Sequence, residues 1–191
     1  MKRLTIPVLL TGLLLSFGAS AQESPFDLSP EQPNREHVQP NPEAIAAIPP
    51  DFPFVTPGKL TIGTNPGGGP PLTAYATDTQ TVVGADADIA LLIAESLGLE
   101  LEIVPTAWVD WPLALQSGKV DAVLSNVGVT EERKEKFDFA TYRQGLHGFF
   151  VHEDSEIQSI KEPKDIAGLK IVVGIGTNQE RILNKWNDLN I

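Results

Sequence analysis

An α/β fold with a mostly parallel sheet is what this sequence predicts, and three observations point there. Segments of alternating or continuous apolar, β-branched character (59–64, 99–103, 120–124) are separated by segments with helical apolar spacing (86–97, 110–117). The intervals between them suit right-handed βαβ units, which set neighbouring strands parallel. Small polar residues (Thr64-Asn65, Ser125-Asn126) and Trp108 fall at or just after strand ends, where open parallel sheets bind ligands.

Residues 1–21 read as a secretory signal peptide. Met1-Lys2-Arg3 is a basic start, 4–17 an apolar core, and Ala19-Ser20-Ala21 a small-x-small cleavage site. Pro7, Gly12 and Gly18 argue against a buried N-terminal helix. The chain has no Cys, so neither a lipid anchor at the cleavage site nor a disulfide is available. Removing two positive charges, Lys2 and Arg3, takes the formal charge from −11 to −13. Such an acidic chain is a poor nucleic-acid binder, because phosphate affinity needs clustered Lys and Arg.

Residues 22–57 form a proline-rich arm, read as extended wrapping or as linker. One short helix fits at 42–48, with Asn41 as N-cap and Pro42 at N1. The folded part begins with the strand at 59–64 and runs into Asn65-Pro66-Gly67-Gly68-Gly69-Pro70-Pro71-Leu72. This loop lacks the Lys-Ser/Thr of a P-loop and does not lead straight into a helix, which excludes the usual nucleotide motifs. It is either a backbone-lined ligand loop or a turn. Residues 75–83 read as a hairpin-like excursion. Asp86 or Asp88 then caps a helix with Ile89, Leu92, Ile93 and Leu97 on one face, and Gly98 stops it. After the strand at 99–103, Asp110 caps a short helix that Gly118 ends.

The strand at 120–124 ends in small polar residues, and Thr130 caps a helix with Glu131 and Glu132 in its first turn. Arg133 there offers a planar fork for a carboxylate, or is a solvated residue of a charged run. Trp108 can stack on a ligand or roof a cationic group; Trp111 takes the structural role. The Asp residues 86, 88, 110 and 121 read as caps and strand ends. His37, His147 and His152 lack metal spacing, and Ser125 lacks the glycines of a nucleophile elbow. Further on, 145–151 reads as an extended crossing strand and 169–173 as a strand. Thr177 and Glu180 have capping-box spacing ahead of a helix with Ile182, Leu183 and Trp186 on its apolar face. That helix N-terminus can hold an anion.

Five segments in order carry a more specific signal. They are Gly84-Ala85-Asp86-Ala87-Asp88-Ile89-Ala90, Ile93-Ala94-Glu95-Ser96-Leu97-Gly98, Leu115-Gln116-Ser117-Gly118-Lys119-Val120-Asp121-Ala122, Thr130-Glu131-Glu132-Arg133 and Phe137-Asp138-Phe139-Ala140-Thr141-Tyr142. The series resembles the family 3 extracellular solute-binding proteins, receptors of amino-acid ABC importers, from about residue 58 to the end. The resemblance implies a periplasmic-binding-protein-like (type II) two-lobed α/β fold. Lobe one would span 58–143, and a hinge strand with an incomplete lobe two 144–191.

It also implies a periplasmic monomer without cofactor or catalysis. Its partners would be a small ligand, an amino acid or related carboxylate held between lobes that close, and the ABC permease subunits of the inner membrane. Carried over, Arg133 would pair with the ligand carboxylate, and Ser125 and Gly128, with Asn126 beside them, would line its loop. Trp108 would stack on the ligand, and Thr177 and Asn178 would close over the carboxylate. Asn65 stands where many relatives carry an acidic or polar ligand residue. Gly68 lies in a glycine run lacking their usual aromatic, and Gly128 replaces a frequent hydroxyl, so a bulkier or atypical ligand is expected. No residue matches the Asp that holds the ligand ammonium. The chain is therefore expected to be a fragment or a prematurely ended product that binds weakly on its own. The alternatives are a cyclohexadienyl-dehydratase-like enzyme on the same fold, a receptor sensor domain, or a non-functional fragment.

Overall fold

The computed structural model describes residues 24–190, so the expected signal peptide lies outside the described residues. Its centre is β1 (Lys59–Thr64), flanked in parallel by β4 (Glu100–Pro105) and β5 (Ala122–Val123) in the order β4-β1-β5. From Leu60 to Thr64 the central strand is buried, as a strand covered on both faces must be. The register pairs Lys59 with Glu100 and Ile62 with both Ile103 and Ala122. The expected hairpin is present as β2 (Ala74–Tyr75) against β3 (Val82–Val83), antiparallel.

Helix α2 (Ala85–Ser96) lays Ala90 and Ala94 on Leu60, Ile62 and Leu124, and these five form the core cluster. Alanines let the helix approach the sheet closely; full burial of Ile62 contributes roughly 1.5–3 kcal/mol. Gly98 ends the helix region with φ +67°, a left-handed conformation that costs glycine nothing. Neither Asp86 nor Asp88 caps α2. Gly84 occupies the N-cap without a side-chain bond, and Asp86 sits in the first turn, 1% exposed. The positive φ of Gly84 (+114°) and its tight approach to the Leu72 carbonyl exclude a capping side chain there.

The proline-rich arm wraps the sheet unit. Helix α1 (Pro42–Ala46) has the expected Asn41 cap, whose amide donates to the Ser96 carbonyl at 2.8 Å. Glu95 accepts from the Val38 amide at 2.9 Å and lies 2.5 Å from His37 Nδ1. Arg35 reaches Asp88 at 2.7 Å, a charge contact whose angle falls short of a hydrogen bond. The Asp121 carboxylate accepts from the Val55 amide at 2.8 Å and the Thr61 amide at 2.7 Å, tying arm to central strand.

Helix α3 (Trp111–Gln116) has Asp110 at its N-cap, again without a side-chain bond, and buries Trp111 as expected. The short α4 (Glu131–Lys134) is capped by Thr130, which accepts from the Arg133 amide at 3.2 Å. The C-terminal helix α5 (Asn178–Asp188) is capped by Thr177. The Glu180 amide donates to Thr177 Oγ1 at 3.1 Å, while the Glu180 carboxylate reaches back to the Gly176 amide at 2.7 Å, one residue before a capping box would place it.

Two expected strands are not formed. Residues 145–151 and 169–173 join no ladder, and Phe150 and Val172 are 97% and 99% exposed. A strand needs a partner for its N–H and C=O groups, and none stands beside either segment among the described residues.

Candidate functional site

A cavity of about 1050 Å³ opens beyond the carboxyl ends of β1, β4 and β5, between them and the loop ahead of α5. Asn65, Gly68, Trp108, Ser125, Asn126, Gly128, Arg133, Thr177 and Asn178, the nine expected site residues, all line it.

Parallel strands bring the first group together. Where β1 ends, the Asn65 amide donates to Ser125 Oγ at 3.0 Å, and Thr64 Oγ1 donates to the Leu124 carbonyl at 3.0 Å, zipping two strand ends into one floor. The Asn65 side-chain oxygen is committed to the Gly67 amide at 3.0 Å, so what this side chain can still offer is its NH2 group. Gly68 has a structural reason that its sequence context did not reveal. A Cβ there would sit 2.7 Å from Thr73 Oγ1, whose hydroxyl donates to the Asn65 carbonyl at 2.6 Å. Gly68→Ala must therefore displace Thr73 and loosen Asn65. We expect about three- to tenfold weaker ligand binding from this change, measurable by titration calorimetry.

The loop after β5 turns through Asn126, whose φ of +52° is a left-handed conformation that Asn tolerates. Its amide donates to Tyr142 Oη at 3.3 Å, and Tyr142 Oη donates to Asp86 Oδ1 at 2.9 Å. Sequence reasoning missed Asp86 and Tyr142, since the first resembles a cap and the second the end of a charged run. Both line the cavity. Burial pushes the Asp86 carboxyl above the usual carboxylate range, opposed by the Tyr142 hydrogen bond and the charge of Arg143. Burial, then the charge of Asp86 and the hydrogen bond to it, raise the Tyr142 phenol to about 12, so it stays a donor at physiological pH.

Arg133 projects from α4 with Nη1 donating to the Gly128 carbonyl at 2.7 Å. Its guanidinium carbon lies 5.7 Å from the Trp108 ring centroid and 5.4 Å from that of Trp111. Burial lowers its pKa, Glu132 opposes the shift, and the like charge of Arg181 adds to it. Across the cavity, Thr177 donates to the Gly174 carbonyl at 2.7 Å, and Asn178 contacts His147 Nε2 at 3.2 Å. Those side chains are engaged, so what this wall offers an anion is the amide-rich first turn of α5. Among the described residues no group of three or more His, Asp or Glu side chains is placed to hold a metal ion.

Known proteins match the chain in sequence and fold. The model of the bacterial extracellular solute-binding proteins, family 3, matches residues 60–189. The L-cystine-binding protein TcyJ of Escherichia coli is 33% identical over 129 residues, covering 67% of this chain and 47% of TcyJ. The chain thus spans about half the length of that relative. Among solved structures, the truncated arginine-bound form of ArgBP from T. maritima superposes with a TM-score of 0.58 at 28% identity, covering 70% of this chain and 62% of ArgBP. The ancestral amino acid-binding protein AncCDT-1, a precursor of cyclohexadienyl dehydratase, gives 0.57 at 31% identity, covering 68% and 57%. The matches cover part of a two-lobed α/β fold with a parallel sheet, and this chain belongs to the bacterial extracellular solute-binding proteins, family 3.

Proposed function

We propose that the protein is the substrate-binding component of an ABC importer and takes an amino acid or related small carboxylate into this cavity. The observation that carries the reading is the meeting in one cavity of Arg133, the Ser125–Asn126 loop and the first turn of α5, three anion-binding elements from distant sequence positions. The relatives named for L-cystine and arginine binding support the class of ligand. Arg133 forks a carboxylate with the donors that Gly128 does not occupy, Trp108 covers the ligand stem, and Asn65 supplies a polar contact. Permease subunits of the inner membrane receive the loaded, monomeric protein. Titration of the full-length protein with the common amino acids should give saturable, one-to-one binding; a flat titration across the panel sinks the reading.

Export to the periplasm accompanies it. Cleavage after Ala21 leaves Gln22 as the first mature residue, an outcome that mass spectrometry of periplasmic protein reads directly. An intact Met1 on that protein contradicts it.

One observation favours a second reading as an enzyme. Asp86, with its pKa raised by burial, lines the cavity and is a candidate general acid, and one structural neighbour is a precursor of a dehydratase. Recovery of unchanged ligand after prolonged incubation supports binding alone; a dehydrated product establishes the enzyme.

A further inference from the structure

Past Arg133 the cleft continues into a second chamber of about 630 Å³. Trp108, Arg133, Thr177 and Asn178 border both spaces. Only the second is lined by Trp111, Phe137 and Arg181. The Trp111 and Phe137 rings meet at 5.0 Å, and with Trp108 they give the chamber an aromatic wall. Arg181 enters from the first turns of α5, where Nε and Nη2 donate to Asn178 Oδ1 at 3.1 and 2.7 Å.

Two guanidinium groups thus serve one chamber, and neither has a carboxylate within ion-pair distance among the described residues. Arg133 donates to a peptide carbonyl and Arg181 to a side-chain amide, both neutral oxygens. Other charges line the same chamber. Lys136 adds to the positive side and Glu132 opposes it, all three of Glu132, Lys136 and Arg181 being exposed, and the Glu180 carboxylate is turned to the Gly176 amide. Arg133 is half-buried and Arg181 exposed, so solvent screens part of the repulsion between their like charges, and each guanidinium keeps donors for an anion of its own. A guanidinium also presents a planar fork matched to a carboxylate.

We propose that the second chamber is a subsite for a second carboxylate, so that the ligand is an elongated amino acid with an acidic group at its far end. Arg181 grips that group, and the aromatic wall covers the apolar stem leading to it. The inference rests on the amino-acid-binding reading above and deepens it by naming the ligand class.

Two thioether amino acids of similar length test it on the full-length protein by calorimetry: S-(2-carboxyethyl)-L-cysteine, with a terminal carboxylate, and S-butyl-L-cysteine, with an alkyl end. The dicarboxylate should bind at least about tenfold tighter. Arg181→Gln should bring the ratio below about threefold, while Arg181→Lys, which keeps the charge but loses the planar fork, should leave it between the two. Equal binding of the two compounds to the unaltered protein overturns the subsite, as does an unchanged ratio in Arg181→Gln. If neither compound nor any common amino acid binds, the amino-acid reading itself fails and takes the subsite with it.

Discussion

Arg133→Lys weakens amino-acid binding roughly ten- to hundred-fold, a loss of about 1.5–3 kcal/mol. The guanidinium in this position does three things at once. It anchors on the Gly128 carbonyl at 2.7 Å, lies against two indole rings, and in the proposed role holds the ligand carboxylate with its remaining donors. Lysine keeps one charge but has no planar face for Trp108 and Trp111, and it cannot hold Gly128 and a carboxylate with a rigid fork. The fold should survive, because Arg133 is on a short helix at the cavity edge and contributes no core packing. Calorimetry on the full-length protein compares the two forms. Equal affinities would return Arg133 to a solvated residue of a charged run.

Tyr142→Phe destabilises the protein by about 1–3 kcal/mol at pH 7, and by much less below the ordinary carboxylate pKa. The phenol is the hydrogen-bond donor to the carboxylate of Asp86, a residue that is 1% exposed. The direction with pH follows from linkage. Burial raises the folded-state pKa of Asp86 above the ordinary value of 3.8, so the native chain holds that proton more tightly than the unfolded chain. Its contribution to stability therefore falls as pH climbs from 3.8 to the raised folded value, and is constant above it. Without the Tyr142 hydroxyl the ionised form loses its donor, the folded pKa rises further, and the loss grows over a wider window. Urea unfolding of both forms at pH 3.5 and pH 7 measures the difference. The same penalty at both values would mean that the hydroxyl acts through packing rather than through the Asp86 charge. The variant also frees the Asn126 amide from Tyr142, so weaker ligand binding should accompany the stability loss.

Local chemistry made much of the molecule legible beforehand. The parallel sheet followed from β-branched segments at βαβ spacing, and the caps at Asn41, Thr130 and Thr177 followed from short polar side chains ahead of helical runs. Asn65, Trp108, Ser125 and Asn126 were readable as cavity-lining residues because a parallel sheet gathers its strand ends at one edge. Contacts between distant segments were not readable in the same way. Asp86 looks like a cap in the sequence, and only the fold brings Tyr142, 56 positions away, against it. Thr73 explains Gly68 through a close approach that composition does not encode. Arg181 lies on the polar side of an amphipathic helix, where a solvated charge is the ordinary reading. The segments 145–151 and 169–173 show the converse failure. Their apolar, β-branched content suits a strand, but strand formation is decided by a neighbour, and local sequence does not supply one.

In the proposed function, the cavity beyond the strand ends binds an amino acid without transforming it. Titrating the full-length protein with an amino-acid panel while following tryptophan fluorescence tests this directly, because Trp108 lines the cavity. The expected result is a saturable change with a dissociation constant of about 10 μM or tighter, near −7 kcal/mol, and ligand recovered intact in a one-to-one complex. A panel that leaves the fluorescence and the heat of mixing unchanged, or a ligand recovered as a new compound, would contradict it.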